Sequence, residues 1–259
     1  MEKKGNLPLT GTRLPPLICP SPFQRLKQGL KPFLTQRNLY ARIPRTAHPL
    51  SFFLEQLRIK MRRAWLPSTR NVKLPERFLF IPFQVHDDTQ IIVHSPWVNS
   101  MECLIREVLE AKSRLNLPHK LVVKEHPVDV GRYDYTRLQK MSELVWLRDF
   151  PLEEILTKTD CVITVNSSVG IEALVYGKPV VTLGEAFYNV KAMAHAALKR
   201  EDLAPAIMAA LEEPGDPHLR EAFLCRLRFQ DLVDASWRCP TDRGVTNAAE
   251  RILSMTKNP

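Results

Sequence analysis

Short apolar runs and amphipathic stretches alternate along the chain from Arg77 onward. Phe78-Leu79-Phe80-Ile81-Pro82 reads as a buried strand. A helix is predicted over residues 101–115, where Leu104, Ile105, Val108, Leu109 and Ala111 recur at helical spacing. Residues 120–124 (KLVVK) read as a second buried strand, 135–144 as a helix, 145–147 as a strand and 151–157 as a short helix. Residues 161–165 (CVITV) form the next predicted strand and lead into a helix over 170–176. A strand over 179–183 follows, then closing helices over 203–211 and 216–232. Strands of four to six residues separated by helices need crossover connections. The expected fold class is therefore α/β, a Rossmann-like parallel sheet with helices on both faces.

The first 75 residues follow another pattern. Seven prolines interrupt residues 1–47 and disfavour any long regular element there. Residues 50–65 are an exception. Phe53, Leu57, Met61 and Trp65 recur every four residues, and Arg58, Lys60, Arg62 and Arg63 lie largely off that face. This predicts a basic amphipathic helix. Its stripe suits packing on the α/β body, the preferred expectation; the other reading is a surface helix on anionic lipid. The net charge of +9 is unevenly spread: residues 1–75 hold 15 Lys/Arg against Glu2 and Glu55, and the remainder is slightly acidic. Two regions are expected: a basic, Pro-rich segment over 1–75, the remnant or linker of an N-terminal domain, and an α/β domain over 76–259.

With 259 residues and a hydrophobic fraction of 44%, the chain can bury a sizeable core. No run of about 18 apolar residues is present, so no membrane-spanning helix is expected. The N-terminus has no apolar stretch of the signal-peptide kind. Five scattered cysteines without C-x-x-C spacing read as reduced thiols. Together these predict a cytoplasmic protein.

Candidate chemistry sits in three polar loops, each following a strand. Ligands in open α/β sheets bind beyond the C-terminal strand ends. After the first strand come Gln84, Asp87, Asp88, Thr89 and Gln90, with Ser95 beyond, side chains suited to sugar hydroxyls. After KLVVK, Lys124 and His126 alternate with Glu125 and so share a face, an arrangement suited to phosphate or carboxylate. Asp129 and Asp134 read as loop charges. After CVITV, Ser167, Ser168 and Gly170 open a helix whose free N–H groups suit an anionic phosphate, and Glu172 in its first turn could accept hydrogen bonds from ribose or sugar hydroxyls. Plain strand-end charges and N-capping would produce the same residues without a ligand. His86 and His94 are not spaced as a metal pair. No Walker motif, G-x-G-x-x-G or G-x-S-x-G is present, which argues against an ATPase, a dinucleotide oxidoreductase and a serine hydrolase.

The order Gln84-x-x-Asp87, Lys124-x-His126-Pro127, then N-S-S-V-G-I-E-A from Asn166 with G-K-P-V from Gly177, resembles the bacterial capsule polysaccharide biosynthesis family that includes β-Kdo transferases. The resemblance covers about residues 77–230. It implies the donor-binding, C-terminal half of a GT-B glycosyltransferase, with CMP-Kdo as donor substrate, no metal and no cofactor. It carries His126 and Lys124 over to the CMP phosphate, Ser167, Ser168 and Gly170 to the phosphate from the helix side, and Glu172 to the ribose. Gln84, with Asp88, Gln90 and Ser95, would line the cleft that holds the sugar. Catalytic residues are expected outside this region. Residues 1–75 are too short for a second α/β domain. The expectation is thus a truncated product, a fragment, or a donor-binding half that works with a partner. The expected partners are the nucleotide sugar, a lipid-linked or saccharide acceptor, and the inner membrane or capsule assembly proteins through peripheral contact, with no nucleic acid. The rivals are a nucleotide-diphosphosugar transferase, a sugar 2-epimerase, and a non-catalytic subunit.

Overall fold

The computed structural model describes residues 49–235 and 241–257. The chain divides into two compact units. One is Glu55–Leu232; the other combines the chain up to Leu54 with the chain from Val233. Helix α1 (Pro49–Trp65) crosses the first boundary. In the second unit, helix α9 (Asp242–Lys257) is capped by Thr241, whose Oγ1 accepts the Gly244 N–H at 3.1 Å. Predictions falling on residues 1–48 lie outside the described residues.

The larger unit is built on six strands. In chain order its elements are β1 (Phe78–Pro82), α2 (Thr89–Ile92), α3 (Met101–Arg114), β2 (Lys120–Lys124), α4 (Thr136–Gln139), β3 (Leu144–Leu147), α5 (Leu152–Lys158), β4 (Cys161–Thr164), α6 (Val169–Val175), β5 (Val180–Thr182), β6 (His195–Ala196), α7 (Leu203–Glu212) and α8 (Pro217–Arg226). All neighbouring strands pair in parallel, in the order β3-β2-β1-β4-β5-β6. The expected α/β class is observed.

Alternation along each strand supplies two cores. Leu79 and Ile81 of β1, with Leu121, Val123, Cys161, Ile163 and Val181, face α3 and α7. Phe78 and Phe80, with Val122, Val162 and Val180, face α5 and α6. Strands covered on both sides are apolar throughout, which is why FLFIP and CVIT lack polar alternation. Helix α3 shows the matching logic. Ser100 Oγ accepts the Cys103 N–H at 3.1 Å as N-cap, and Met101, Leu104, Ile105, Val108 and Ala111 are buried at helical spacing.

Three expectations need correction. The helix predicted over 135–144 is the single turn α4, and Leu144 already begins β3. Asp134 Oδ1 opens the turn by accepting Thr136 N–H at 2.9 Å and its hydroxyl at 2.5 Å. The rest of that stretch is a connection packed on the core through Tyr135 and Leu138. The predicted closing helix over 216–232 ends as α8 at Arg226 and continues as a wider π turn over Leu227–Asp231. The apolar stripe of α1 does not pack on the sheet: Leu57, Met61 and Trp65 are 47%, 55% and 83% exposed. No helix among the described residues is long and apolar enough to cross a membrane.

Candidate functional site

The strand order places the reversal of winding between β1 and β4. The chain runs β1 to β3 toward one edge and β4 to β6 toward the other. The loops after β1 and β4 therefore diverge and leave a crevice, the usual ligand position in doubly wound sheets. Because the sheet is parallel, the loops carrying Gln84, Lys124 with His126, and Ser167 with Ser168 all open on one edge.

Gln84 spans the crevice. Its Oε1 accepts the Asn166 N–H at 3.3 Å, so its Nε2 is the donor that reaches Asn166 Oδ1 at 3.0 Å. This buried amide ties the β1 loop to the β4 loop.

The β1 and β2 loops are tied by Asp129, which is fully buried. Its Oδ2 accepts the His86 N–H at 2.7 Å and the Tyr135 hydroxyl at 3.3 Å, and its Oδ1 faces His86 Nδ1 at 2.9 Å. The reading of Asp129 as a loop charge is corrected: it organises the site edge. With a carboxylate as partner, Nδ1 of His86 carries a proton, and Nε2 lies 4.0 Å from Asp87 Oδ2. Tyr133 lies beside the imidazole, ring centroids 4.5 Å apart. Farther out, Arg132 grips Asp87 at 2.6 and 3.3 Å.

His126 has the opposite polarity. Its Nδ1 accepts the Val128 N–H at 3.2 Å, which leaves the proton on Nε2. An Nε2–H at a strand end is a donor suited to an anionic oxygen. Lys124 is more committed. Its ammonium donates to the carbonyls of Arg148 at 2.6 Å and Phe150 at 2.8 Å, and burial lowers its pKa from the usual lysine value. One N–H remains for a ligand. The intervening Glu125 turns to the other face and accepts from Trp146 Nε1 at 3.0 Å and Arg148 Nε at 3.2 Å.

The turn from β4 into α6 is shaped by its own hydrogen bonds. Ser167 Oγ accepts the Val169 N–H at 3.2 Å, and the Ser167 carbonyl accepts the Tyr188 hydroxyl at 2.5 Å. Ser168 is exposed, and its hydroxyl makes no capping bond to the helix. Gly170 does admit a close approach, but by Tyr188: a Cβ there would lie 2.3 Å from the tyrosine oxygen. Gly170→Ala is expected to force Tyr188 off Ser167 and destabilise the unit by about 1–3 kcal/mol. Thermal unfolding checks this, and because Gly170→Ala already displaces the Tyr188 hydroxyl, its loss and that of Tyr188→Phe should be less than additive in the double variant. Glu172 is exposed, yet desolvation raises its carboxyl above the ordinary glutamate value.

The remaining predicted residues are more peripheral. Asp88 opens α2, its carbonyl accepting from Ile91 and Ile92 N–H at 3.0 Å. Gln90 lies within α2. Ser95 Oγ accepts the Val98 N–H at 3.1 Å, in a segment packed beside Gly184. Among the described residues, no group of three His, Cys, Asp or Glu is placed to hold a metal ion.

A family model described as capsule polysaccharide biosynthesis protein matches residues 48–224. The chain is 35% identical over 190 residues to Protein FixF of Sinorhizobium fredii (strain NBRC 101917 / NGR234), covering 70% of this chain and 44% of that protein. It is 30% identical over 201 residues to the capsule polysaccharide export protein KpsS of Escherichia coli, covering 69% and 51% respectively. It thus spans about half the length of these curated relatives. Among solved structures, it is similar to the KpsC β-Kdo 2,7 transferase of Thermosulfurimonas dismutans, with 24% identity, a TM-score of 0.38, and coverage of 65% of this chain and 56% of that one. The chain belongs to the capsule polysaccharide biosynthesis protein family.

Proposed function

We propose that this chain is the donor-binding portion of a glycosyltransferase of capsule or surface polysaccharide assembly. In this reading it binds CMP-Kdo in the cytoplasm and presents it for transfer of Kdo to a lipid-linked or saccharide acceptor. The supporting observation is the edge where the β1, β2 and β4 loops meet, which carries the His126 Nε2–H, the remaining Lys124 N–H and the Ser168 hydroxyl. Such donors suit the single phosphate of a CMP-sugar. The choice of CMP-Kdo rests on the resemblance carried by Lys124-x-His126-Pro127 and the Asn166–Ala173 motif. Glu172 is assigned to the ribose, and Gln84, bonded to Asn166 across the β1 and β4 loops, is assigned to line the cleft.

Calorimetry with a nucleotide panel tests this reading, and CMP is expected to bind in preference to UDP. Preference for UDP would move the chain to the nucleotide-diphosphosugar enzymes, and binding of neither would make it a non-catalytic subunit. His126→Ala is expected to weaken CMP by roughly 1–3 kcal/mol, about 5- to 150-fold, as for a lost hydrogen bond to a charged group. Unchanged affinity in that variant would remove His126 from the site. A transfer assay with CMP-Kdo then addresses the chemistry itself.

A further inference from the structure

Helix α1 has two faces with different partners. On one, Arg63 closes the β2 loop: its guanidinium donates to the carbonyls of Val130 at 2.5 Å, Pro127 at 3.0 Å and Val128 at 3.1 Å. Gly131, at φ +75°, lies so near that a Cβ would sit 3.0 Å from the Ile59 carbonyl oxygen and the Arg63 Cγ. This face is therefore fixed against the loop that carries His126.

The other face is apolar and exposed. Phe53, Leu54, Leu57, Met61 and Trp65 form one arc of the helix. Exposed Arg58 and Arg62 border the arc on one side and exposed Lys60 on the other. Glu55 is the one acidic residue in the helix sequence, and Asp134 is the acidic group whose charge Arg62 reaches. Helix α9 offers a comparison. Its Val245, Ile252, Leu253 and Met255 are also exposed, but both signs of charge accompany them, Asp242 and Glu250 with Arg243 and Arg251. Only α1 of these two joins an apolar arc to a largely unopposed cationic border.

We propose that the outer face of α1 is a membrane-docking surface, lying in the interfacial plane of an anionic lipid bilayer. The apolar arc would enter the acyl boundary, and Arg58, Lys60 and Arg62 would extend to the headgroup phosphates. A protein partner covering the same arc would have to bury or pair those three cations, whereas a lipid surface leaves them at the water boundary. With four basic residues in 17, the helix is suited to lying on a bilayer and not to spanning it. The inference is independent of which nucleotide sugar the crevice holds. It places the His126 loop, held by Arg63, one helix diameter from the lipid.

The test is flotation of the full chain with vesicles of phosphatidylcholine alone or mixed with phosphatidylglycerol. The wild type is expected to float with the mixed vesicles, to be released by rising salt, and to show a blue shift in tryptophan emission that Trp65→Phe removes. Arg58→Glu/Lys60→Glu/Arg62→Glu should lower partitioning on the order of 100-fold or more, since each juxtamembrane cation contributes about a factor of five. Leu57→Ser/Met61→Ser/Trp65→Ser should abolish it without lowering the melting temperature. Arg63 is left intact because it holds the loop. Failure of the wild type to float, or flotation that persists in the serine variant, overturns the proposal. Sedimentation as a dimer that the serine variant loses, without vesicle binding by the wild type, would assign the face to a second copy. A lowered melting temperature in that variant, again without wild-type flotation, would assign it to the chain's own remaining segments. Both outcomes refute the lipid surface.

Discussion

Asp129→Ala is expected to cost the α/β unit about 3 kcal/mol, because it strands buried donors that each carry a penalty of about 1–3 kcal/mol. The carboxylate accepts from the His86 backbone, the His86 ring and the Tyr135 hydroxyl, and it has no exposure to water. Tyr135 cannot take up the role by ionising: burial holds its hydroxyl protonated well above the ordinary tyrosine range, with the Asp129 charge adding to the effect. For a unit of this length the loss corresponds to a fall of roughly 6–12 °C in Tm. Asp129→Asn keeps one acceptor and should lose less. Tyr135→Phe removes only the longest of the three bonds and should lose least. If Asp129→Ala melts with the wild type, Asp129 does not organise this edge. The variant also releases His86 from its fixed tautomer, so the β1 loop should show faster amide exchange than the β4 loop.

The strands were legible because parallel strands covered on both faces must be apolar, and FLFIP, KLVVK and CVITV meet that demand without ambiguity. β6 escaped notice because two residues, His195 and Ala196, carry no periodicity. The region after β2 misled for a physical reason. Tyr135, Leu138, Met141 and Leu144 recur at three-residue spacing, but Asp134 starts a turn there and Leu144 returns to pair with Leu121. The α1 stripe misled because amphipathicity reports a face and not what covers it. The site divides along the same line. Strand-end loops can be found from sequence, and Gln84, Lys124, His126, Ser167 and Ser168 all lie on the expected edge. Their bonding cannot. Gln84 meets Asn166 across 82 residues, and His86 meets Asp129 across 43. Lys124 spends two of its three protons on carbonyls that KLVVK does not announce. Asp129 offered only its position three residues after His126, a spacing that gains meaning once the β1 loop lies beside it.

Glu125→Ala is expected to be at least as costly, about 3–5 kcal/mol, the range for breaking one side of a buried ion pair. Only 3% of the Glu125 side chain and 10% of the Arg148 side chain are exposed, so the guanidinium would lose its counter-charge without gaining water. Trp146 Nε1–H would lose its acceptor as well. Glu125→Gln separates the contributions, since it retains volume and an acceptor and gives up only the charge. The pH dependence should carry the signature. Burial raises the Glu125 carboxyl above its ordinary value of 4.5, and the bonds from Trp146 and the charge of Arg148 only partly oppose that shift. A raised folded pKa means that the native state holds a proton which the unfolded chain has released. The stabilisation is therefore complete below pH 4.5 and is lost as pH rises through the folded value. Relative to Glu125→Gln, the wild type should be most favoured in acid, and its margin should narrow as pH rises from 4.5 toward neutrality. Denaturant unfolding of the two proteins across that interval measures the difference directly, because every other titrating group is common to both. A margin that widens with pH would mean that the Arg148 charge outweighs burial, and that the pair stabilises the edge chiefly as an ion pair.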